Sequence, residues 1–210
     1  MKYFSYERDE MVPFLPSNCQ KVLEIGCAEG GFRKHLPEEC EYWGVEMNPE
    51  AAAKALQSLD KVLVGTFQEV AGQIPENYFD VVICNDVIEH MEDHTVFIES
   101  LKAKLNTGGV LVGSVPNVRF QKNLIELLLR KDWEYKDEGI LDRTHLRFFT
   151  EKSLRRSLEE TGFVIQSLTG INSLLKRKIT PRSVARWLLV ILLGRDTQYR
   201  QFGFKISIGD

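Results

Sequence analysis

The stretch Val22-Leu23-Glu24-Ile25-Gly26-Cys27-Ala28-Glu29-Gly30-Gly31 decides the fold of this chain of 210 residues. Its apolar first half predicts a buried strand in the middle of a parallel sheet. The glycines that follow predict a tight turn in which the backbone can approach a ligand closely. Glu46 lies 20 residues after Gly26, at the end of the next predicted strand. An acid at that position can accept hydrogen bonds from ribose hydroxyls, so this spacing predicts an adenosine-type ligand.

The acid at the start of the turn narrows the choice of ligand. Dinucleotide-binding turns hold a pyrophosphate with glycines at the N-terminus of a helix. The spacing here differs, and the carboxylate of Glu24 would repel a diphosphate. A ligand that carries an ammonium and a sulfonium suits this turn better, and an oxidoreductase that uses NAD is disfavoured.

The pattern Glu24-x-Gly26-x-Ala28-x-Gly30 resembles motif I of the class I S-adenosylmethionine-dependent methyltransferases, with Ala28 in place of the usual middle glycine. The segment from Phe79 to His90 resembles the fourth-strand motif of that family, and the segment from Leu105 to Val112 resembles its turn into the fifth strand. Two further segments, 115–117 and 141–150, are similar to a type 11/23-like subgroup often associated with bacterial surface-glycan and natural-product gene clusters.

The resemblance implies an enzyme with S-adenosylmethionine as cofactor and S-adenosylhomocysteine as product. It also implies the contacts of this cofactor. The turn would hold the amino-acid end of the cofactor, and Glu46 would bind the ribose hydroxyls. The adenine would contact Met47, Thr66 and Phe67, and the methionine side would contact Asn85 and Asp86. The cofactor-binding residues expected on this basis are Glu24, Gly26, Ala28, Gly30, Glu46, Met47, Thr66, Phe67, Asn85 and Asp86.

Alternating strand and helix patterns predict an α/β fold with helices on both faces of the sheet. Strands are predicted near residues 21–25, 41–46, 61–64, 79–85, 109–115, 163–168 and 202–208. A Rossmann-like, mostly parallel sheet whose last strand is antiparallel accommodates all seven. The length favours a single methyltransferase domain over residues 1–210.

Composition excludes several classes of function and location. The net charge of −3 argues against nucleic acid as substrate. The four cysteines lack metal-site spacing and predict reduced thiols. Acids near the N-terminus replace the apolar core that a signal peptide needs, so a cytoplasmic protein is expected.

Two segments lie outside the expected plan. Residues 116–149 follow the fifth strand and predict a lid over the acceptor. Residues 172–200 carry seven basic residues against Asp196 and are formally +6. This second segment predicts either a helix packed on the sheet with solvated arginines or a peripheral contact with a membrane surface. The oligomeric state is not predicted.

Methyl transfer to a hydroxyl benefits from a general base, and histidine suits that role near neutral pH. His145 in the lid is the first candidate and His90, after the fourth strand, is the second. Asp142 is expected to orient the imidazole of His145, while Arg143 and Arg147 are expected to hold a phosphate or carboxylate on the acceptor. No metal is expected, because Asp86 and Glu89 have no evident third carboxylate partner.

These residues predict O-methylation of a small polar metabolite or glycan-type acceptor, such as a sugar or a nucleotide-linked sugar. The alternatives are N-methylation of an amino sugar or other amine, and a catalytically idle cofactor-binding subunit.

Overall fold

A computed structural model describes residues 7–175 and 181–209 and leaves the side chains of residues 181–185 undescribed. Seven strands form one sheet in the order β3-β2-β1-β4-β5-β7-β6. The strands are β1 (Lys21–Ile25), β2 (Glu41–Glu46), β3 (Lys61–Val64), β4 (Phe79–Asn85), β5 (Leu105–Pro116), β6 (Phe163–Ser173) and β7 (Tyr199–Ile208). Only β7 runs antiparallel to its neighbours β5 and β6, so the predicted fold class is confirmed.

Six α-helices are described around this sheet. They are α1 (Pro49–Ala55), α2 (Phe67–Val70), α3 (His94–Lys102), α4 (Gln121–Ile125), α5 (Glu151–Glu160) and α6 (Pro181–Leu193). The side chains of Asn48 and Thr150 cap the N-termini of α1 and α5. Two clusters of buried apolar side chains flank the central strands.

The last three strands are longer than predicted. The turn expected at residues 106–109 is present, but it lies within β5 as an irregularity. Leu105 pairs with Phe79 before the turn and Val110 pairs with Val81 after it. The strands β6 and β7 extend each other's pairing as far as Ser173 and Tyr199. The added parts of β6 and β7 pair with each other, and local sequence patterns do not predict such a long-range pairing.

The parallel strands bring their carboxyl ends to one edge of the sheet. β1 lies between β2 and β4, so the turn after Ile25, the acid Glu46 and the end of β4 at Asn85 become neighbours. A binding site in a parallel α/β sheet forms at this edge.

The segment 116–149 contains α4, a π-helical turn over Glu126–Arg130 and an irregular return to α5. Trp133 packs edge-on against Phe148 with 5.4 Å between the ring centroids. The segment 172–200 connects β6 to β7 through α6. Its residues Lys176, Arg177 and Lys178 lie outside the described residues. No helix in the described part of the chain is long and apolar enough to cross a membrane.

Candidate functional site

A cavity of about 1490 Å³ opens at the carboxyl edge of the sheet. It exceeds the roughly 300–1,000 Å³ of a typical pocket for one small molecule, which leaves room for two ligands. Nine of the ten predicted cofactor-binding residues line it, and Gly30 is the exception. His90 and His145 line it as well. The sequence therefore predicted residues that meet at one cavity.

The turn after β1 has the backbone that its glycines predict. Gly26 and Gly30 have φ of 72° and 79°, in the left-handed region that favours glycine. A Cβ on Gly26 would lie 3.0 Å from Val87, and one on Gly30 would clash with Leu59 and Ser58 at 2.8 Å. Gly30 is therefore needed for the shape of the turn, although it does not line the cavity.

Ala28 is also left-handed, with φ of 49°. This conformation disfavours a residue with a Cβ by roughly 1 kcal/mol. The departure from the usual glycine is therefore tolerated at a modest cost in strain.

Glu24 lies on the floor of the cavity and is 5% exposed. Tyr42 donates a hydrogen bond from its hydroxyl to Glu24 Oε2 at 2.8 Å. Burial, with a smaller contribution from the neighbouring Glu46, raises the pKa of Glu24 to about 7 against the lowering effects of Tyr42 and Arg8. A cationic ligand above this floor would favour the ionised carboxylate.

Glu46 is held at the end of β2 by two backbone donors. The amide of Ala28 donates to Oε2 at 2.9 Å and the amide of Asn48 donates to Oε1 at 2.8 Å. Each carboxylate oxygen can accept more than one hydrogen bond. The acid therefore ties the turn to β2 and keeps acceptor capacity for a ligand's hydroxyl groups.

The three residues expected at the adenine differ in character. Met47 is 70% exposed at the cavity rim, whereas Phe67 is buried against Phe97 with 5.4 Å between the ring centroids. Thr66 caps α2, and its hydroxyl donates to Glu69 at 2.9 Å. The hydroxyl of Thr66 is thus engaged with the helix rather than free to bind a ligand.

Asn85 and Asp86 have different environments at the end of β4. The side-chain nitrogen and oxygen of Asn85 are buried and have no hydrogen-bond partner among the described residues. Such a group is costly unless a ligand or solvent pairs with it, so the cavity fits a ligand with polar groups at this point.

Asp86 is saturated by protein groups. Its carboxylate accepts from Arg8 and Gln201, each at 2.6 Å, and from Ser114 at 2.8 Å. Burial alone would raise the pKa of Asp86, but Arg8 and the hydrogen bonds from Ser114 and Gln201 hold it below its usual value. This carboxylate anchors Arg8 at the sheet edge.

The two imidazoles lie together, with ring centroids 4.8 Å apart. The Nδ1 of His145 is 3.0 Å from the carbonyl oxygen of Ile140. The Nδ1 of His90 is 3.2 Å from the carbonyl oxygen of Thr144. A carbonyl only accepts, so each neutral ring carries its proton on Nδ1 and keeps a lone pair on Nε2. Burial lowers the pKa of His90, and His145 lowers it further. Both rings can accept a proton at Nε2.

Glu89 completes this group, and the sequence did not mark it as a site residue. Its carboxyl is fully buried and lacks a hydrogen-bond partner among the described residues. Its Oε1 is 3.9 Å from Nε2 of His145. Burial, followed by the charge of Asp86, raises the pKa of Glu89 well above its usual value. The sequence did contain a signal for Glu89 as a site residue, namely an acid that directly follows apolar residues and precedes His90.

Three expectations about the lid motif are wrong. Asp142 accepts from the amide and the hydroxyl of Thr144, at 2.8 Å and 2.6 Å, so it orients Thr144 instead of His145. Arg143 pairs with Asp137 at 2.8 Å, and Arg147 donates to the carbonyl of Glu92. Neither arginine is among the residues that line the cavity. Arg143 and Arg147 are therefore engaged outside the cavity, whereas Asp142 lines it.

The charge of the cavity also differs from that expected for a phosphate-bearing ligand. Among the described residues, its lining contains nine acids and the two arginines Arg8 and Arg200. Arg8 is already paired with Asp86 and with Glu10. Such a surface favours a cationic or neutral ligand over an anion.

Glu89, His90 and His145 each offer a ligand atom, and these atoms lie within 4.8 Å of one another. Magnesium prefers oxygen ligands, and here two of the three groups are imidazoles. Asp86, the other acid expected near this edge, is occupied by Arg8. The expectation that no metal takes part stays a prediction.

Comparison with known proteins agrees with this geometry. A family model described as a methyltransferase domain matches residues 4–168. The mitochondrial ubiquinone biosynthesis O-methyltransferase of Schizosaccharomyces pombe is 29% identical over 169 residues, which cover 75% of this chain and 61% of that protein. The chain thus spans less than two thirds of this relative.

Solved structures share the fold. A SAM-dependent methyltransferase from Archaeoglobus fulgidus superposes with a TM-score of 0.64 at 20% identity, covering 94% of this chain and 89% of that one. A structure described as a putative S-adenosylmethionine-dependent methyltransferase from Listeria monocytogenes gives 0.67 at 15% identity and covers 97% of each chain.

Proposed function

The chain belongs to the S-adenosylmethionine-dependent methyltransferases, and we propose that within this family it methylates a hydroxyl oxygen of a small molecule. The pair of imidazoles beside the cavity carries this proposal, because each keeps a lone pair on Nε2. A hydroxyl must lose its proton during transfer, and a positioned imidazole accepts it near neutral pH.

The cofactor, when bound, supplies an activated methyl group. The chain's own residues then have three tasks. The turn from Glu24 to Gly30 and the acid Glu46 hold the cofactor at the sheet edge. His145, with His90 as the alternative base, accepts the proton from the acceptor. The lid from residue 116 to 149 positions the acceptor, and positioning supplies a large part of the rate enhancement.

The acceptor class follows from the charge of the cavity. Nine acids against two arginines disfavour a phosphate, and Arg143 and Arg147 are engaged outside the cavity. We therefore retain a neutral sugar or similar polar hydroxyl compound as acceptor and set aside the nucleotide-linked form. The O-methyltransferase name of the yeast relative supports oxygen as the acceptor atom.

N-methylation of an amine is the second candidate. The excess of acids in the lining favours it, because carboxylates such as Glu138 and Asp142 would attract an ammonium group. An amine must also lose its proton before it attacks, so the same imidazoles could serve it.

All four cysteines are free thiols, and three of them are buried. This supports the proposal of a reducing compartment such as the cytoplasm.

Matched acceptors separate the two candidates. Labelled S-adenosylmethionine would be offered with glucose or glucosamine and with phenol or aniline, and mass spectrometry would locate the methyl group in the product. We expect methylation on oxygen. Methylation of the amines alone would favour the second candidate. A binding titration with S-adenosylhomocysteine and with NAD provides the control, and only the former is expected to bind.

A further inference from the structure

Tyr42 lies near the start of β2, behind the floor of the cavity. Its side chain is fully buried and is not among the residues that line the cavity. Its hydroxyl donates to Glu24 Oε2 at 2.8 Å. A buried tyrosine hydroxyl usually finds a hydrogen-bond partner. Here the partner is the acid expected to bind the methyl donor, so the contact joins the core of the sheet to the cofactor site.

The fold fixes the position of the Tyr42 hydroxyl. The backbone of Tyr42 pairs with Val22 on β1, and its amide donates to Asp60 Oδ2 at 2.7 Å. The ring belongs to a buried apolar cluster that also contains Phe32. The guanidinium of Arg33 lies 5.7 Å from the centroid of the ring. A ring held by these contacts presents its hydroxyl to Glu24 in one direction.

This hydrogen bond divides the work of the two carboxylate oxygens of Glu24. Tyr42 engages Oε2 from the core side. No hydrogen bond from a described residue reaches Oε1, and Glu24 lines the cavity. A carboxylate oxygen without a protein donor can bind a cationic group of a ligand. The hydroxyl therefore leaves Oε1 to the ligand.

The hydrogen bond also favours the charged form of Glu24. Burial raises the pKa of Glu24, and the bond from Tyr42 is the largest effect that lowers it. Burial and the carboxyl of Glu24 raise the pKa of Tyr42 well above its usual value, so its hydroxyl keeps the proton that it donates. The other titratable groups that interact with Glu24 are Arg8, Glu46, Cys27 and Cys84. Burial raises the pKa of both thiols, so they stay neutral.

We propose that Tyr42 is a positioning residue for the methyl donor: its hydroxyl holds Glu24 as an oriented carboxylate whose Oε1 binds the ammonium group of S-adenosylmethionine. Tyr42 acts through Glu24 and does not touch the cofactor. The inference rests on S-adenosylmethionine as the cofactor and on Glu24 as its contact, and it does not depend on which atom of the acceptor is methylated.

The variant Tyr42→Phe tests this inference, because it removes the hydroxyl and keeps the ring. The affinity for S-adenosylmethionine would be measured by calorimetry between about pH 5.5 and about pH 9.5. Loss of the hydrogen bond raises the pKa of Glu24 in the empty protein, and binding must then expel a more tightly held proton. We expect about tenfold or more weaker affinity at the acidic end of the range. The difference should shrink as pH rises, because Glu24 becomes ionised in both proteins.

Two controls separate this effect from a general loss of structure. Tyr78→Phe is the matched control, because the Tyr78 hydroxyl donates to Glu41 Oε2 at 2.7 Å outside the cavity. Its affinity profile should follow that of the native chain. Adding Tyr42→Phe to Glu24→Gln should leave the pH-independent affinity of Glu24→Gln unchanged, since Tyr42 acts through the carboxylate.

A second variant gives the opposite shift and does not remove the hydroxyl. A ring-fluorinated tyrosine in place of Tyr42 is a stronger hydrogen-bond donor, so the affinity should begin to fall at a lower pH than in the native chain. Urea denaturation verifies that each variant is folded.

The inference is overturned if the profile of Tyr42→Phe superposes on the native profile, or if its affinity is weaker by the same factor at every pH. A native affinity that does not change with pH also overturns it. The proposed transfer to oxygen is tested on the methylated product, so it can fail while the affinity profiles hold.

Discussion

At the scale of a single residue, Glu24 makes the affinity for the methyl donor S-adenosylmethionine depend on pH. Burial raises its pKa to about 7, so the carboxyl of the empty protein gains a proton as pH falls through this value. A cationic donor favours the ionised form, and binding below the pKa must therefore expel that proton.

We expect the affinity for S-adenosylmethionine to fall about tenfold for each pH unit below about 7 and to level off above it. Calorimetric titrations between about pH 5.5 and about pH 8.5 measure this directly. Glu24→Gln should remove the dependence, because it cannot ionise. An affinity for the native chain that is flat across this range would contradict the assignment.

Glu46 gives a second residue-scale prediction. Replacing it with alanine removes acceptors for the ribose hydroxyls, and affinity for S-adenosylmethionine should weaken by roughly 2–3 kcal/mol. Glu41→Ala is the matched control, since Glu41 lies on the same strand and accepts from Trp43 and Tyr78 at 2.7 Å outside the cavity. Unchanged affinity of a folded Glu46→Ala protein would remove the ribose assignment.

The sequence predicts the positions of these residues better than the directions of their side chains. The acid Glu46 and the glycine turn follow from strand ends, which the apolar pattern fixes. Asp142, Arg143 and Arg147 lie in the right segment, but hydrogen bonds inside the turn decide where each points. Glu89 escaped prediction because its importance comes from burial beside His145, a contact between residues 56 positions apart.

At the scale of secondary-structure elements, the side chain of Arg8 binds the N-terminal segment to the carboxyl edge of the sheet. Arg8 donates to Asp86 at 2.6 Å and to Ser114 at 2.5 Å, and it is mostly buried. Removing one partner of a buried ion pair strands the other charge.

We expect Arg8→Ala to lower the free energy of unfolding by about 3 kcal/mol, measured by urea denaturation. Arg155→Ala is the control, because Arg155 pairs with Glu159 at 3.9 Å on the surface and should cost less than about 1 kcal/mol. Equal effects of the two variants would show that Arg8 does not fasten the edge.

The lid and the turn after β4 form the second element-scale contact. The amides of Leu146 and Arg147 donate to the carbonyl oxygen of Glu89 at 2.8 Å and 3.0 Å. This pairing holds His145 beside His90. Local sequence patterns predicted both segments, but the pairing between them depends on tertiary structure.

We expect turnover to survive a strong chelator. The group beside Glu89 consists of imidazoles, which suit magnesium poorly, and Asp86 is already occupied by Arg8. Turnover of a methyl acceptor with and without EDTA measures this. Loss of turnover that a divalent cation restores would contradict this expectation.

At the scale of the whole molecule, the sheet edge divides the cavity into two sides. The glycine turn and Glu46 lie on the side of β1 and β2, while His90 follows β4 and His145 belongs to the lid. Alternation of strands and helices predicts the parallel sheet, and the strand order that creates this division is the one that the resemblance to the methyltransferases implies. The acceptor side could not be predicted, because its walls come from irregular segments far apart in the chain.

The rate of methyl transfer by a His90→Ala, His145→Ala double variant tests the central claim most directly. It would be measured with a hydroxyl acceptor found in the matched screen, and donor affinity would be measured in parallel. His94→Ala is the control, because this imidazole contacts Ser157 at 3.1 Å and does not line the cavity. A general base contributes about 100- to 10,000-fold, so the double variant should lose rate by that order and keep its donor affinity, while the control stays near native. Near-native transfer to oxygen by the double variant would contradict the account.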